Sequence, residues 1–129
     1  MNEAGVQEPI EYGQAVHQLA RLIPAGAVLS YGDVAELLGS GGPRQVGKAM
    51  ALAPGGTPWW RVLRANGSIA DPLMPVALEH WNEEKLALPE KKVDMSKFRW
   101  NPTSAAWDEI DILRSSLGNA KMSEMDDEL

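Results

Sequence analysis

The chain has 129 residues, 44% of them hydrophobic and 23% charged, which suits one compact domain and leaves little room for a second. Nothing approaches the roughly 18–20 consecutive apolar residues of a membrane span, and the opening MNEAGVQEPIEY lacks the basic start and apolar run of a signal peptide. The absence of cysteine excludes a disulfide framework and thiolate chemistry, and the net charge of −6 argues against a general nucleic-acid binder.

The charge is unevenly placed. Between Tyr12 and Ala70 the cations Arg21, Arg44, Lys48, Arg61 and Arg64 outnumber Asp33 and Glu36, leaving +3, while the acidic excess falls after Ala70 and ends in EMDDEL. A mildly basic body with an acidic tail is compatible with DNA binding and does not by itself imply it. A cytoplasmic location is the expectation, associated with the nucleoid when the protein is on DNA.

In chain order, Pro9 suits the first position of a helix, and Val16, Leu19, Ala20 and Ile23 recur at helical spacing, which predicts an amphipathic helix over 9–23. Pro24-Ala25-Gly26 stops it, and Val28-Leu29 reads as a short extended pair. Ser30 with Asp33 resembles a capping box that opens a second helix, with Val34, Ala35, Leu37 and Leu38 inward and Gly39 as its C-terminal cap. Pro43 opens a third helix with Val46, Ala49 and Met50 inward, and Pro54-Gly55-Gly56 ends it. Two short helices joined by a Gly-rich turn have the outline of a helix-turn-helix, an outline that chance helix pairs share.

Arg61–Arg64 and Ser68–Ala70 flank Ala65-Asn66-Gly67, and Asn-Gly predicts a hairpin, here a small β-wing. Asp71-Pro72-Leu73-Met74-Pro75 reads as irregular because of its prolines. A short helix is expected over 76–86 and extended or looped chain over 87–102. Trp107, Ile110, Leu113 and Leu117 predict a last amphipathic helix over 104–118, with an acidic end expected to be frayed.

Three features bear on chemistry. Trp59 and Trp60 are adjacent and cannot share one face of a helix or strand, so one ring is expected in an unusual direction. Either it covers a surface edge, or it forms an aromatic wall for a flat ligand such as an unstacked base. Arg44, at the start of the third helix, is either a solvated arginine paired with Asp33 or Glu36, or a guanidinium aimed into a DNA groove. Tyr31 is either a staple for its helix or a ring pressed against a flipped nucleotide. His17 and His80 have no partner at ligand spacing, so no metal site is expected, and Glu83 and Glu84 read as a solvated helix face. No Ser-His-Asp set, phosphate-cradling loop or cofactor motif is visible.

Taken together these segments resemble one family. Ile23-Pro24-x-Gly26-x-Val28-x-Ser30-Tyr31-Gly32-Asp33-Val34-Ala35 is similar to the start of the DNA-binding domain of the O6-alkylguanine-DNA alkyltransferases. Pro43-Arg44-Gln45-Val46-Gly47-Lys48-Ala49-Met50 resembles that domain's recognition helix, and Pro58-Trp59-Trp60-Arg61-Val62 stands where the family carries Pro-Cys-His-Arg-Val. The likeness covers about residues 10–70 and weighs more than the bland alternatives above.

The resemblance implies a mainly α, winged helix-turn-helix-like domain with a small β-hairpin, bounded here at 1–88; beyond it, 89–129 reads from its own apolar spacing and charge as a C-terminal extension of one helix and an acidic, disordered end. It implies that the recognition helix binds in the minor groove through Tyr31, Arg44, Gln45 and Lys48. Tyr31 would help rotate the damaged nucleotide out of the duplex, and Arg44 would fill the vacancy. Tyr31, Pro58, Trp59, Trp60, Arg61, Ile69 and Ala70 would line the lesion pocket; Arg61 and Arg64 are also candidates for DNA contacts, and Arg61 equally for bracing the loop.

The departure from the family is as informative. Alkyl transfer needs an activated thiolate, and Trp59 occupies the acceptor-cysteine position, so no catalytic residue and no cofactor are expected. Tryptophan at that position resembles the alkyltransferase-like proteins, which bind the lesion in double-stranded DNA, bend the DNA and hand it to nucleotide excision repair proteins. A monomer with no membrane partner is expected. The family's asparagine after the recognition helix is Ala53 here, and its Gly-rich stretch after the pocket is Asp71–Pro75. The competing readings are a helix-turn-helix transcription regulator and a protein-interaction module.

Overall fold

A computed structural model describes residues 10–128, with side chains to Leu117. Helix α1 spans Tyr12–Leu22 and opens where Glu11 N–H donates to Gln14 Oε1 at 3.1 Å. It is shorter than the periodicity predicts, and Pro9 lies outside the described residues. Its Ala15, Val16, Leu19 and Ala20 face inward.

Strand β1, Leu29–Ser30, runs directly into helix α2, Tyr31–Leu38. The join is the expected capping box: Asp33 N–H donates to Ser30 Oγ at 3.0 Å, and Ser30 N–H donates to Asp33 Oδ2 at 2.9 Å. Gly39 ends α2 in the left-handed region at φ 70°. Helix α3, Pro43–Ala51, then packs across α2 and α1, burying Val46, Ala49 and Met50.

The wing region departs from the expected hairpin. Strand β2, Val62–Leu63, pairs in parallel with β1, with Leu29 opposite Val62 and Ser30 opposite Leu63. The turn at Asn66-Gly67 does form, closed by Gly67 N–H to Arg64 O at 2.8 Å and Arg64 N–H to Ser68 O at 3.0 Å. No second strand follows it, because Gly67 O accepts from Val93 N–H at 3.0 Å instead. The backbone groups beyond the turn are drawn to the segment after residue 87, which local patterning does not reveal.

Helix α4, Met74–Glu83, starts earlier than expected, with Pro75 in its first turn, where a missing N–H costs nothing. Before it, Asp71–Leu73 makes one 3-10 turn. The segment expected to be extended or looped contains a 3-10 turn, Pro89–Lys91, and the short helix α5, Met95–Phe98. Helix α6 spans Ser104–Glu128, longer than its apolar spacing predicts; the acidic side chains near its end lie outside the described ones.

Two apolar clusters share Trp59 at their boundary. The first joins α1, α2 and α3 with Ile110, Leu113 and Leu117 of α6. The second gathers Val28, Leu63, Ile69, Ala77, Trp81, Leu86, Val93 and Met95. Trp100 packs on the first cluster, whereas Trp107 is left 38% exposed.

Candidate nucleic-acid interface and base cavity

Helix α3 is amphipathic, and its two faces do different things. Arg44, Gln45 and Lys48 are exposed on the face opposite the buried Val46, Ala49 and Met50. Gln45 is partly committed, because its Oε1 accepts from Gly42 N–H at 2.7 Å and caps the helix start. Arg44 is not paired with Asp33, whose carboxylate bonds Arg99 at 2.8 Å.

Tyr31 is the first residue of α2 and is half-buried. Its ring lies over Gly47 of α3 so closely that a Cβ there would sit 3.8 Å from two ring carbons. Burial pushes the Tyr31 hydroxyl above its ordinary value, and the positive charge of Arg64 partly offsets this.

Between Tyr31 and Trp59 lies a cavity of about 460 Å³, lined by Tyr31, Gly47, Met50, Ala51, Ala53, Trp59, Val62, Ile69, Ala70 and Leu73. Its volume falls within the range typical of small-ligand pockets. Thus α3 builds one wall with Gly47, Met50 and Ala51 while offering Arg44, Gln45 and Lys48 to solvent. Of the residues expected in the pocket, Tyr31, Trp59, Ile69 and Ala70 line this cavity.

Trp60 and Arg61 belong to a neighbouring cluster, and Pro58 is buried without lining the cavity. Trp59, Trp60 and Arg61 form one tight 3-10 turn, which turns the adjacent indoles nearly perpendicular, at 86° with centroids 5.7 Å apart. Trp60 stacks on His80 at 3.5 Å and 5°, and Trp59 meets the same imidazole edge-on at 6.3 Å. Trp60 Nε1–H donates to Glu84 Oε2 at 2.7 Å, and Trp81 Nε1–H to Trp60 O at 2.8 Å.

Arg61 braces rather than reaches out. Its Nη2–H donates to Glu84 Oε2 at 2.8 Å, and its Nη1–H to Ile23 O at 3.0 Å. Glu84 Oε1 also accepts from Gly26 N–H at 2.9 Å. Glu84 therefore departs from the solvated face expected of it: its side chain is 9% exposed and ties three segments together. Burial pushes its carboxyl up, but hydrogen bonds from Arg61, Gly26 and Trp60 and the charge of Arg61 outweigh this and hold it below the ordinary glutamate value. A loop with two indole N–H groups and a guanidinium needs an acceptor; sequence alone does not say which carboxylate supplies it.

His17 is structural, its Nε2 lying 2.7 Å from Ala49 O. Among the described residues no cluster of His, Asp and Glu has the makings of a metal site. The chain contains no cysteine, so an alkyl group that entered the cavity would meet no thiol acceptor.

Residues 11–90 match the family profile described as 6-O-methylguanine DNA methyltransferase, DNA binding domain. A protein of Escherichia coli strain K12 named DNA base-flipping protein is 34% identical over 107 residues, covering 77% of this chain and 81% of that protein. A namesake from Vibrio parahaemolyticus is also 34% identical, over 95 residues, covering 67% of this chain and 89% of its own. S. pombe Atl1, solved in complex with damaged DNA containing O6-carboxymethylguanine, superposes with a TM-score of 0.63 at 25% identity, covering 70% of this chain and 94% of that one. A second S. pombe ATL structure with DNA gives the same TM-score, 0.63, at 26% identity. The chain belongs to the family of the 6-O-methylguanine DNA methyltransferase DNA-binding domain, and within it to the alkyltransferase-like proteins.

Proposed function

We propose that this protein recognises O6-alkylguanine in double-stranded DNA by taking the flipped base into the cavity between Tyr31 and Trp59, without alkyl transfer. The carrying observation is that cavity of about 460 Å³, one wall of which is the helix that presents Arg44, Gln45 and Lys48. A lesion at guanine O6 weakens base pairing, so extruding it costs less than extruding a normal base. Trp59 offers an aromatic face to the extruded purine, and such stacking contributes about 1–3 kcal/mol per base. Arg44, at the start of α3, fills the vacated stack, and Lys48 meets a phosphate. The relatives named for base flipping and the Atl1 complex with damaged DNA support this reading. The protein acts as a monomer in the cytoplasm, and the complex it forms is a flag for nucleotide excision repair proteins.

The test is a titration, at fixed salt, of duplexes with and without one O6-methylguanine. The lesion duplex is expected to bind roughly 5- to 150-fold more tightly, the equivalent of the stacking energy. Mass spectrometry is expected to find the methyl group still on the base. Arg44→Ala is expected to weaken lesion binding about tenfold or more while leaving the fold intact. Equal affinity for the two duplexes would sink the proposal, and a sequence preference in undamaged DNA by a dimer would favour a transcription regulator.

A further inference from the structure

The cavity walls carry more information than the presence of a hollow. None of the ten lining residues is charged, and Tyr31 and the Trp59 indole are the polar side chains among them. The other eight, among them Met50, Ala53, Val62, Ile69 and Leu73, are apolar residues or glycine. Leu73 is 45% exposed, so it stands on the rim rather than in the floor. It belongs to the same 3-10 turn as Asp71, an exposed acidic residue that does not line the cavity. The cation closest in effect, Arg64, acts on the Tyr31 hydroxyl but is not among the lining residues.

From this lining we infer that the site selects lesions by the charge of the O6 substituent, accepting neutral alkyl groups and disfavouring carboxyalkyl ones. The inference rests on the base-flipping reading above and names the ligand class of that same cavity. A neutral alkyl chain gains by leaving water against Met50, Ala53 and Leu73. A carboxylate of the same shape loses hydration and finds no cation among the lining side chains, whose donors are limited to the Tyr31 hydroxyl and the Trp59 indole N–H. The relative solved with O6-carboxymethylguanine accommodates such an anion, so this specificity is not a necessary feature of the fold. Leu73 is the position that tests it, because a lysine on the rim would lay its aliphatic stem along the apolar wall and hold its ammonium in the water at the mouth, where a carboxylate would meet it.

The experiment compares three otherwise identical duplexes: O6-isobutylguanine, its near-isostere O6-carboxymethylguanine, and undamaged guanine. The isobutyl duplex is expected to bind about tenfold or more tightly than the carboxymethyl duplex, a difference of about 1.4 kcal/mol. In Leu73→Lys the ratio between the two lesions is expected to fall to about threefold or less, a shift set by charge at the mouth. Lesion affinities within threefold of each other for the natural chain would overturn the inference. So would a tenfold ratio that Leu73→Lys leaves unchanged, because the discrimination would then come from the DNA and not from the cavity. Failure of the isobutyl duplex to exceed undamaged DNA would instead overturn the base-flipping reading itself.

Discussion

Glu84 shows how much one carboxylate decides. It accepts from the guanidinium of Arg61, the indole of Trp60 and the backbone N–H of Gly26, so it holds the Trp59–Arg61 turn against the loop after α1. The orientation of Trp59 follows from its neighbours: with Trp60 pinned flat on His80, the preceding indole is left to face the cavity. Glu84→Gln strands a guanidinium that is 17% exposed, and is expected to destabilise the fold by about 3 kcal/mol in denaturant titrations. Because the folded carboxyl is held below its ordinary value, its contribution is fully present above the unfolded-state value. That contribution is lost as the pH falls through the depressed folded value. The acid limb of the stability–pH profile is therefore expected to be shallower in Glu84→Gln; an unchanged limb would mean that the pair contributes nothing. The Arg99–Asp33 pair obeys the same sign, but with Arg99 47% exposed it contributes less, about 0–1 kcal/mol.

Among the elements, the turn after β2 is the one that tertiary contact redirected. Gly67 has φ 84°, and a Cβ there would collide with the backbone carbonyl of Val93. The Asn-Gly pair is thus selected twice, once by the positive φ of the turn and once by the close approach of the chain after residue 87. Gly67→Ala is expected to cost at least about 1–3 kcal/mol in thermal unfolding, with both strain and displacement contributing. A variant as stable as the parent would show that the Gly67–Val93 contact is not held in solution. By contrast α2 and α3 are settled locally: the Ser30–Asp33 box, Gly39 and Pro43 set their limits, and their burial follows the apolar spacing.

The molecule as a whole does not divide at the end of the family match. Helix α6 lies beyond residue 90, yet Ile110, Leu113 and Leu117 are buried in the same cluster as α1, α2 and α3. Burying each such side chain contributes about 1.5–3 kcal/mol, and three together rival the whole stability of a small domain, about 5–15 kcal/mol. A chain ending at residue 103 is therefore expected to lose cooperative unfolding and to expose apolar surface, measured by calorimetry and dye binding. Retention of a sharp transition would make α6 an accessory to a domain that is complete without it.

Local chemistry in the sequence determined a great deal here. The capped α2 and the proline-started α3 were legible because each depends on residues a few positions apart, and the lack of any thiol follows from composition alone. Tyr31, Trp59, Ile69 and Ala70 could be placed together only through the resemblance, and they do line one cavity. What the tertiary structure alone decided are the partners separated by long stretches of chain. These are the parallel pairing of Val62–Leu63 with Leu29–Ser30, the burial of Glu84 under Arg61 and Trp60, and the contribution of Met50, Ala53 and Leu73 to the cavity. Periodicity reports which face of an element is buried, but it is silent on which distant segment covers that face, and a buried ion pair or a cavity wall is made of such distant choices.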